Sequence, residues 1–219
     1  MSVLSVFWEL NQDIFVIEFK SINLEHFNGG LVKSLHLILL VLLGLVLTLS
    51  AQETARLQVI HNAADPAAAS VDVYLDGTLL LDDFGFREAT AFIDAPANTP
   101  INVGVAAGNS SSAADTLKNF ALTLEAGKTY LAIADGVLNP DIFRDNPDGL
   151  DIGFTLYPYD MGRESGEDMS KVDLNVFHGS TNAPTVDVVA RGVGTLVDNA
   201  AYGDYTGYFS VPAASYTLD

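Results

Sequence analysis

The sequence predicts an all-β protein: an antiparallel β-sandwich module, complete once, followed by an incomplete second copy. Three observations carry this expectation. Beyond residue 55 the apolar residues alternate over short runs separated by Gly, Pro, Asn and Asp, the period-two pattern of strands with one buried face. No amphipathic helical stretch follows the apolar leader. Finally, VIHNAADPAAASVDVYLDG, residues 59–77, returns as VFHGSTNAPTVDVVARG, residues 176–192.

The strands can be justified in order. In RLQVIH, residues 56–61, Leu57 and Val59 share one face. SVDVYLDGTLLLDDF, residues 70–84, reads as a hairpin: Val71, Val73 and Leu75 alternate, Asp76-Gly77 turns the chain, and Leu79 and Leu81 follow. ATAFIDAP is a short strand ended by Pro96, and INVGVAAG alternates Ile101, Val103 and Val105. Two strands, Phe120–Leu124 and Thr129–Ala134, are joined by the turn Glu125-Ala126-Gly127-Lys128, and DIGFTLYPYD closes the series around Phe154, Leu156 and Tyr159. About seven short strands result, at the spacing of a sandwich.

The second copy can be laid over the first. His178 aligns with His61, Val186-Asp187-Val188 with Val71-Asp72-Val73, and Leu196-Val197 with Leu80-Leu81. Tyr202, Tyr208 and Pro212 align with Phe86, Phe92 and Pro96 at the same internal spacings of six and four. A shared order of strand, loop, hairpin, aromatic and proline marks a repeat. Copy two reaches Asp219 where copy one begins INVGVAAG. Half a sandwich would expose its apolar face, so the chain is expected to be a fragment of a longer gene product.

Ahead of these modules, KSLHLILLVLLGLVLTLSAQ places Lys33 before a largely apolar run of 15 residues from Leu35 to Leu49, then the small pair Ser50-Ala51. That is a secretory signal pattern, shorter than the roughly 20 residues a spanning helix prefers. The expected organisation is therefore a mistaken start or disordered extension over 1–31, a signal peptide over 32–51, a first module over 55–160, a linker over 161–171 and an incomplete second module over 172–219. The protein is expected to be secreted or held at the cell surface.

Acidic residues outnumber basic ones 28 to 10, a net charge of -18. Removing residues 1–51 leaves 24 against 8, or -16, so the acidity belongs to the exported part. Such a surface repels phosphate backbones and anionic lipid headgroups, which argues against nucleic acid and against a membrane role beyond export. The absence of cysteine rules out disulfide frameworks, thiolate metal sites and thiol nucleophiles.

The remaining chemistry is sparse. Beyond the leader, His61 and His178 are the only histidines, too few donors for a metal centre. Each is read as fixing the loop that follows by donating a ring N–H to a backbone carbonyl. Asp72 and Asp187 lie in the same repeated motif, but a His–Asp contact would lack a third catalytic member. The serines of GNSSSAAD have no G-x-S-x-G elbow. No catalytic residue or cofactor is expected, with calcium as the one chemical candidate: RDNPDGLDIG gathers Asp145, Asp148 and Asp151, with Asn146, around one turn, and hard oxygen donors suit Ca²⁺. The same residues are ordinary turn formers. Phe86, Phe92, Tyr202 and Tyr208 are read either as core or as a carbohydrate-stacking surface.

At these residues the chain resembles the bacterial domain of unknown function 4397 (DUF4397) family. Its members carry a V-x-H opening that runs into V-D-V-Y-x-D-G, an aromatic-Gly-x-x-(S/T)-x-(Y/F) segment, a Pro-Ala turn and an L-x-A-G-K-x-Y strand pair. The matching stretches here are VIHNAADPAAASVDVYLDG, FREATAF, APAN and LTLEAGKTYLAIADG, and in copy two VFHGSTNAPTVDVVARG, YGDYTGY and VPAASY. Arg87 departs from the usual glycine, and the copy-one loop lacks Ala-Pro before Val-Asp-Val. The resemblance implies exported Ig-like or transthyretin-like sandwich modules, often in tandem, and no established activity. The functional expectation is a non-enzymatic spacer or interaction module for an extracellular protein or glycan. The alternatives are the non-catalytic part of a secreted carbohydrate-active or hydrolytic enzyme, and a calcium-dependent adhesin module.

Overall fold

The computed structural model describes residues 2–11, 14–23 and 52–219. The chain divides into two units, Met1–Ala51 and Gln52–Asp219. In the first, β1 (Ser2–Asn11) and β2 (Ile14–Asn23) pair as an antiparallel hairpin from Ser2↔Asn23 to Asn11↔Ile14, where the sequence suggests no strand. The expected signal segment, 32–51, lies outside the described residues. Among the described residues no helix is long and apolar enough to cross a membrane.

The second unit opens with eight strands: β3 (Thr54–His61), β4 (Ser70–Leu75), β5 (Thr78–Gly85), β6 (Ile93–Pro96), β7 (Pro100–Ala107), β8 (Lys118–Thr123), β9 (Thr129–Asp135) and β10 (Thr155–Tyr159). They form two four-stranded sheets, ordered β10-β9-β3-β6 and β5-β4-β7-β8. Leu57, Tyr130, Ala132 and Ala134 of the first sheet are buried against Val71, Val73, Ile101 and Val105 of the second. The hairpin turn Asp76-Gly77 has φ of +47° and +82°, the two left-handed residues that a tight turn between right-twisted strands needs.

Two details differ from the sequence expectation. First, β3 and β9 pair in parallel, from Arg56↔Thr129 to His61↔Ala134, so one sheet is mixed and not antiparallel throughout. Second, the turn at residues 125–128 does not close a hairpin. It carries the chain from β8, paired with β7, to β9, paired with β3 and β10. Burial explains the divergence. Strand β8 alternates exposed and half-buried residues, as an edge strand does, whereas β9 is buried from Tyr130 through Asp135 on both faces. A near-continuous apolar run belongs in the middle of a covered sheet.

Copy two supplies β11 (Lys171–Phe177), β12 (Val186–Ala190), β13 (Gly194–Ala200) and β14 (Tyr205–Pro212). Strands β11 and β14 pair through Lys171↔Pro212 and Leu174↔Phe209, the counterparts of Thr54↔Pro96 and Leu57↔Ile93. Strands β12 and β13 pair through Val186↔Ala200 and Val188↔Val197, the counterparts of Val71↔Phe84 and Val73↔Leu81. Even the last bridge, Ala190↔Leu218, answers Leu75↔Val103. The polar stretch 161–171 is tied to both copies near its start, by Glu164 to Arg56 of copy one and by Arg163 to Asp173 of copy two.

Candidate functional site

His61 is fully buried, and its Nε2 donates to the Ala68 carbonyl at 2.7 Å. In copy two His178 Nε2 donates to the Pro184 carbonyl at 3.0 Å. A carbonyl can only accept, so Nε2 carries the proton in both rings. The backbone around them matches as well. His61 donates its N–H to Glu88 and receives that of Arg87, while His178 does the same with Asp204 and Gly203. Phe86 lies edge-on to His61 and Tyr202 edge-on to His178. Burial holds the His61 pKa below its usual value, only partly offset by the Ala68 carbonyl.

The structure does not bring either histidine to the aspartate of its motif. Asp72 accepts the Asp83 N–H at 2.9 Å and the Ser110 N–H at 3.1 Å, together with the Ser110 hydroxyl. Asp187 accepts the Asn199 N–H at 2.7 Å. Asp83 and Asn199, with φ of +53° and +56°, sit at the register breaks of their hairpins. Each aspartate therefore caps a β-bulge, a place where one extra residue leaves a donor unpaired. The Ser110 loop covers Asp72, which is buried, whereas Asp187 is exposed. The hydroxyl of Ser110 is committed to that role.

The three carboxylates of the calcium expectation do not converge. Asp145 is exposed, Asp151 accepts the Gly153 N–H at 2.8 Å, and Asp148 accepts both the N–H and the hydroxyl of Thr185. Buried Asn146 donates to the carbonyls of Thr181 and Ala183, each at 3.0 Å. Among the described residues no three acidic or histidine side chains gather as a metal ion would require. RDNPDGLDIG is instead a loop of copy one that holds the His178 loop of copy two.

That contact belongs to a seam between the copies that sequence reasoning missed. Asp135, at the end of β9, is fully buried, accepts the Asn62 amide at 2.9 Å and caps the Gly136 N–H. Gly179 of copy two packs so closely that a Cβ there would collide with both Asn62 and Asp135. Burial pushes the Asp135 pKa up to about 6 against the opposing pull of Asn62, the Gly136 N–H and His178. Beside it Tyr157 packs against Phe177 at 5.1 Å and Tyr202 at 6.1 Å, and Tyr159 stacks on Tyr205 at 4.8 Å. The Tyr205 hydroxyl donates to the Tyr157 carbonyl at 2.6 Å. The Tyr202 hydroxyl is buried without a partner, and burial pushes its pKa upward. Arg163 lies 4.6 Å above the Tyr208 ring. Tyr202 and Tyr208 are thus committed to the seam, while Phe86 and Phe92 are half-buried in copy one, so the four form no common stacking platform.

A family model described as Domain of unknown function (DUF4397) matches residues 55–151. These residues belong to the DUF4397 family. No curated protein matches the chain. The matched DUF4397 domain includes the His61 loop, the Asp72 bulge cap and Asp135. It stops before Tyr157 and Tyr159, so the aromatic half of the seam is built from residues outside the match. Inside the DUF4397 sandwich an apolar cavity of about 80 Å³ remains between the sheets, lined by Val59, Val73, Ile101 and Phe154 among others.

Proposed function

We propose that the chain is an exported, non-enzymatic tandem of Ig-like or transthyretin-like modules that acts as a stiff spacer or surface interaction element for an extracellular protein or glycan. The seam carries this reading. Two modules meant to move freely would present polar faces to one another across their linker. Here a buried carboxylate, four tyrosines and Phe177 interlock, and the 161–171 segment is pinned by Arg56–Glu164 and Arg163–Asp173 ion pairs. Each aromatic pair contributes about 0.5–1.5 kcal/mol beyond its buried area. The histidines and Ser110 supply bonds that order loops. The calcium-dependent alternative is less well supported, because Asp148 already holds Thr185.

Rotational correlation times from ¹⁵N relaxation test the proposal. Both modules are expected to tumble as one body, and Tyr157→Ala with Tyr205→Ala is expected to separate them. Independent tumbling of the unaltered protein would overturn it. Detection of the chain in washed cells but never in culture fluid or on the cell surface would overturn export.

A further inference from the structure

The two copies present corresponding faces, yet only one of those faces is docked. The docked face of copy two has glycine at two points of closest approach. A Cβ on Gly203 would stand 2.7 Å from Tyr157 Cε1, and one on Gly179 would overlap Asn62 and Asp135. A Cβ on Gly207 would lie 3.7 Å from the Tyr159 hydroxyl, an ordinary contact. Matching backbone bonds identify the counterparts in copy one. Arg87 corresponds to Gly203, because each donates its N–H to the carbonyl of its histidine. Thr90 and Thr206 each accept a β-strand N–H through the hydroxyl, which places Ala91 opposite Gly207 and Ala89 opposite Tyr205. The residue after each histidine is Asn62 in one copy and Gly179 in the other.

All three glycines are therefore replaced in copy one, and the stacking tyrosine is lost. The replacement at Arg87 is costly in itself. Its φ is +70° where Gly203 has +91°, and an L-residue in that region is strained by roughly 1–2 kcal/mol. Its guanidinium lies 5.0 Å over Phe86, the counterpart of Tyr202, and covers the aromatic that copy two uses in the seam. Strain of this kind persists where the structure has a use for it.

We propose that one position sets stacking direction: the β9–β10 face accepts a module with glycine at the Gly203 position, and Arg87 bars the first module's own face from the same partner. This rests on the seam reading above and adds a rule for which modules join. A head-to-tail interface is heterologous and would otherwise propagate into open filaments. Arg87 stops that propagation on one side.

The test uses the whole protein in sedimentation equilibrium and ¹⁵N relaxation. Gly203→Arg is expected to release copy two, giving two correlation times while the protein stays monomeric. Adding Arg87→Gly and Ala89→Tyr to that variant leaves a free β9–β10 face and an unblocked docking face on the same molecule. Concentration-dependent association, with a dissociation constant of about 1 mM or tighter, is then expected. Three results would each overturn the rule: a single correlation time in Gly203→Arg, a monomeric triple variant, or filaments of the unaltered protein. Should Gly203→Arg unfold copy two, the freed β9–β10 face remains and the association readout still decides. A failure of the seam reading shows separately, as two correlation times in the unaltered protein.

Discussion

Asp135→Asn is the most informative single substitution at the seam. The carboxyl is fully buried, with its pKa raised from 3.8 to about 6 chiefly by desolvation. A raised acid binds its proton more tightly in the folded state, so its contribution is largest below pH 3.8 and is lost as pH rises through about 6. At about 1.4 kcal/mol for each pH unit the ceiling is about 3 kcal/mol, and structural relaxation brings the expectation to roughly 1–3 kcal/mol. Asparagine keeps the shape and can still accept the Gly136 N–H, while the Asn62 amide can turn its oxygen toward the new amide nitrogen. The groups that face Asp135 are His178 and the tyrosines 157, 202 and 205. Urea unfolding of both proteins from pH 4 to 8 isolates the term, because the overall acidity cancels in the difference. The variant should match the parent near pH 4 and exceed it by roughly 1–3 kcal/mol above pH 7. If the parent is the more stable at pH 7.5, the carboxylate is a stabilising acceptor and the desolvation argument fails.

Three further outcomes follow from the same reasoning. Asp72→Ala leaves the Asp83 and Ser110 donors unpaired and should cost about 2–4 kcal/mol, against about 0.5–1 for exposed Asp187→Ala; equal losses in urea melts would refute the role of burial. Burial works against the Asp72 charge, but the bonds from Ser110 and Asp83 outweigh it and depress its pKa, so its stabilisation should vanish as acid takes the pH below the usual carboxylate value. The lowered His61 pKa has the opposite sign to that of Asp135: stability is full above 6.5 and lost on acidification below it, which melts from pH 7 to 5 in the Asp135→Asn background should show and a His61→Gln background should remove. Val73→Ile, placed to fill the cavity, should add up to about 0.8 kcal/mol, and a lower Tm would show that the void cannot take a methylene.

The strands were legible because alternation, the Asp-Gly turn and the repeated Val-Asp-Val motif are local. The histidine role was also legible, since a ring at a strand end has the next loop within reach. Parallel pairing of β3 with β9 was not, because it depends on which strand is covered on both faces. Asp135 does carry a sequence signal: an acid ending the continuous apolar run YLAIAD must be either exposed or covered by something outside its own strand. The calcium expectation carries a related ambiguity. Asp, Asn and Gly around a turn describe oxygen donors equally well whether they face a cation or, as Asn146 and Asp148 do, the backbone of a neighbouring loop. The contrast between Arg87 and Gly203 was visible in the sequence, but only the docked face gives it meaning.

The parallel pairing also orders events during folding. Arg56 and Thr129 are partners 73 residues apart, so β3 can meet β6 early but must wait for most of the module before its second neighbour exists. Loop closure of that length is slow relative to hairpin formation. A chain emerging from its N-terminal side leaves β3 paired on one side only until β9 is free to insert. Strand β9 is the latch of the module, and substitutions within it should mainly speed unfolding, whereas equally destabilising ones in the early β4–β5 hairpin should slow refolding.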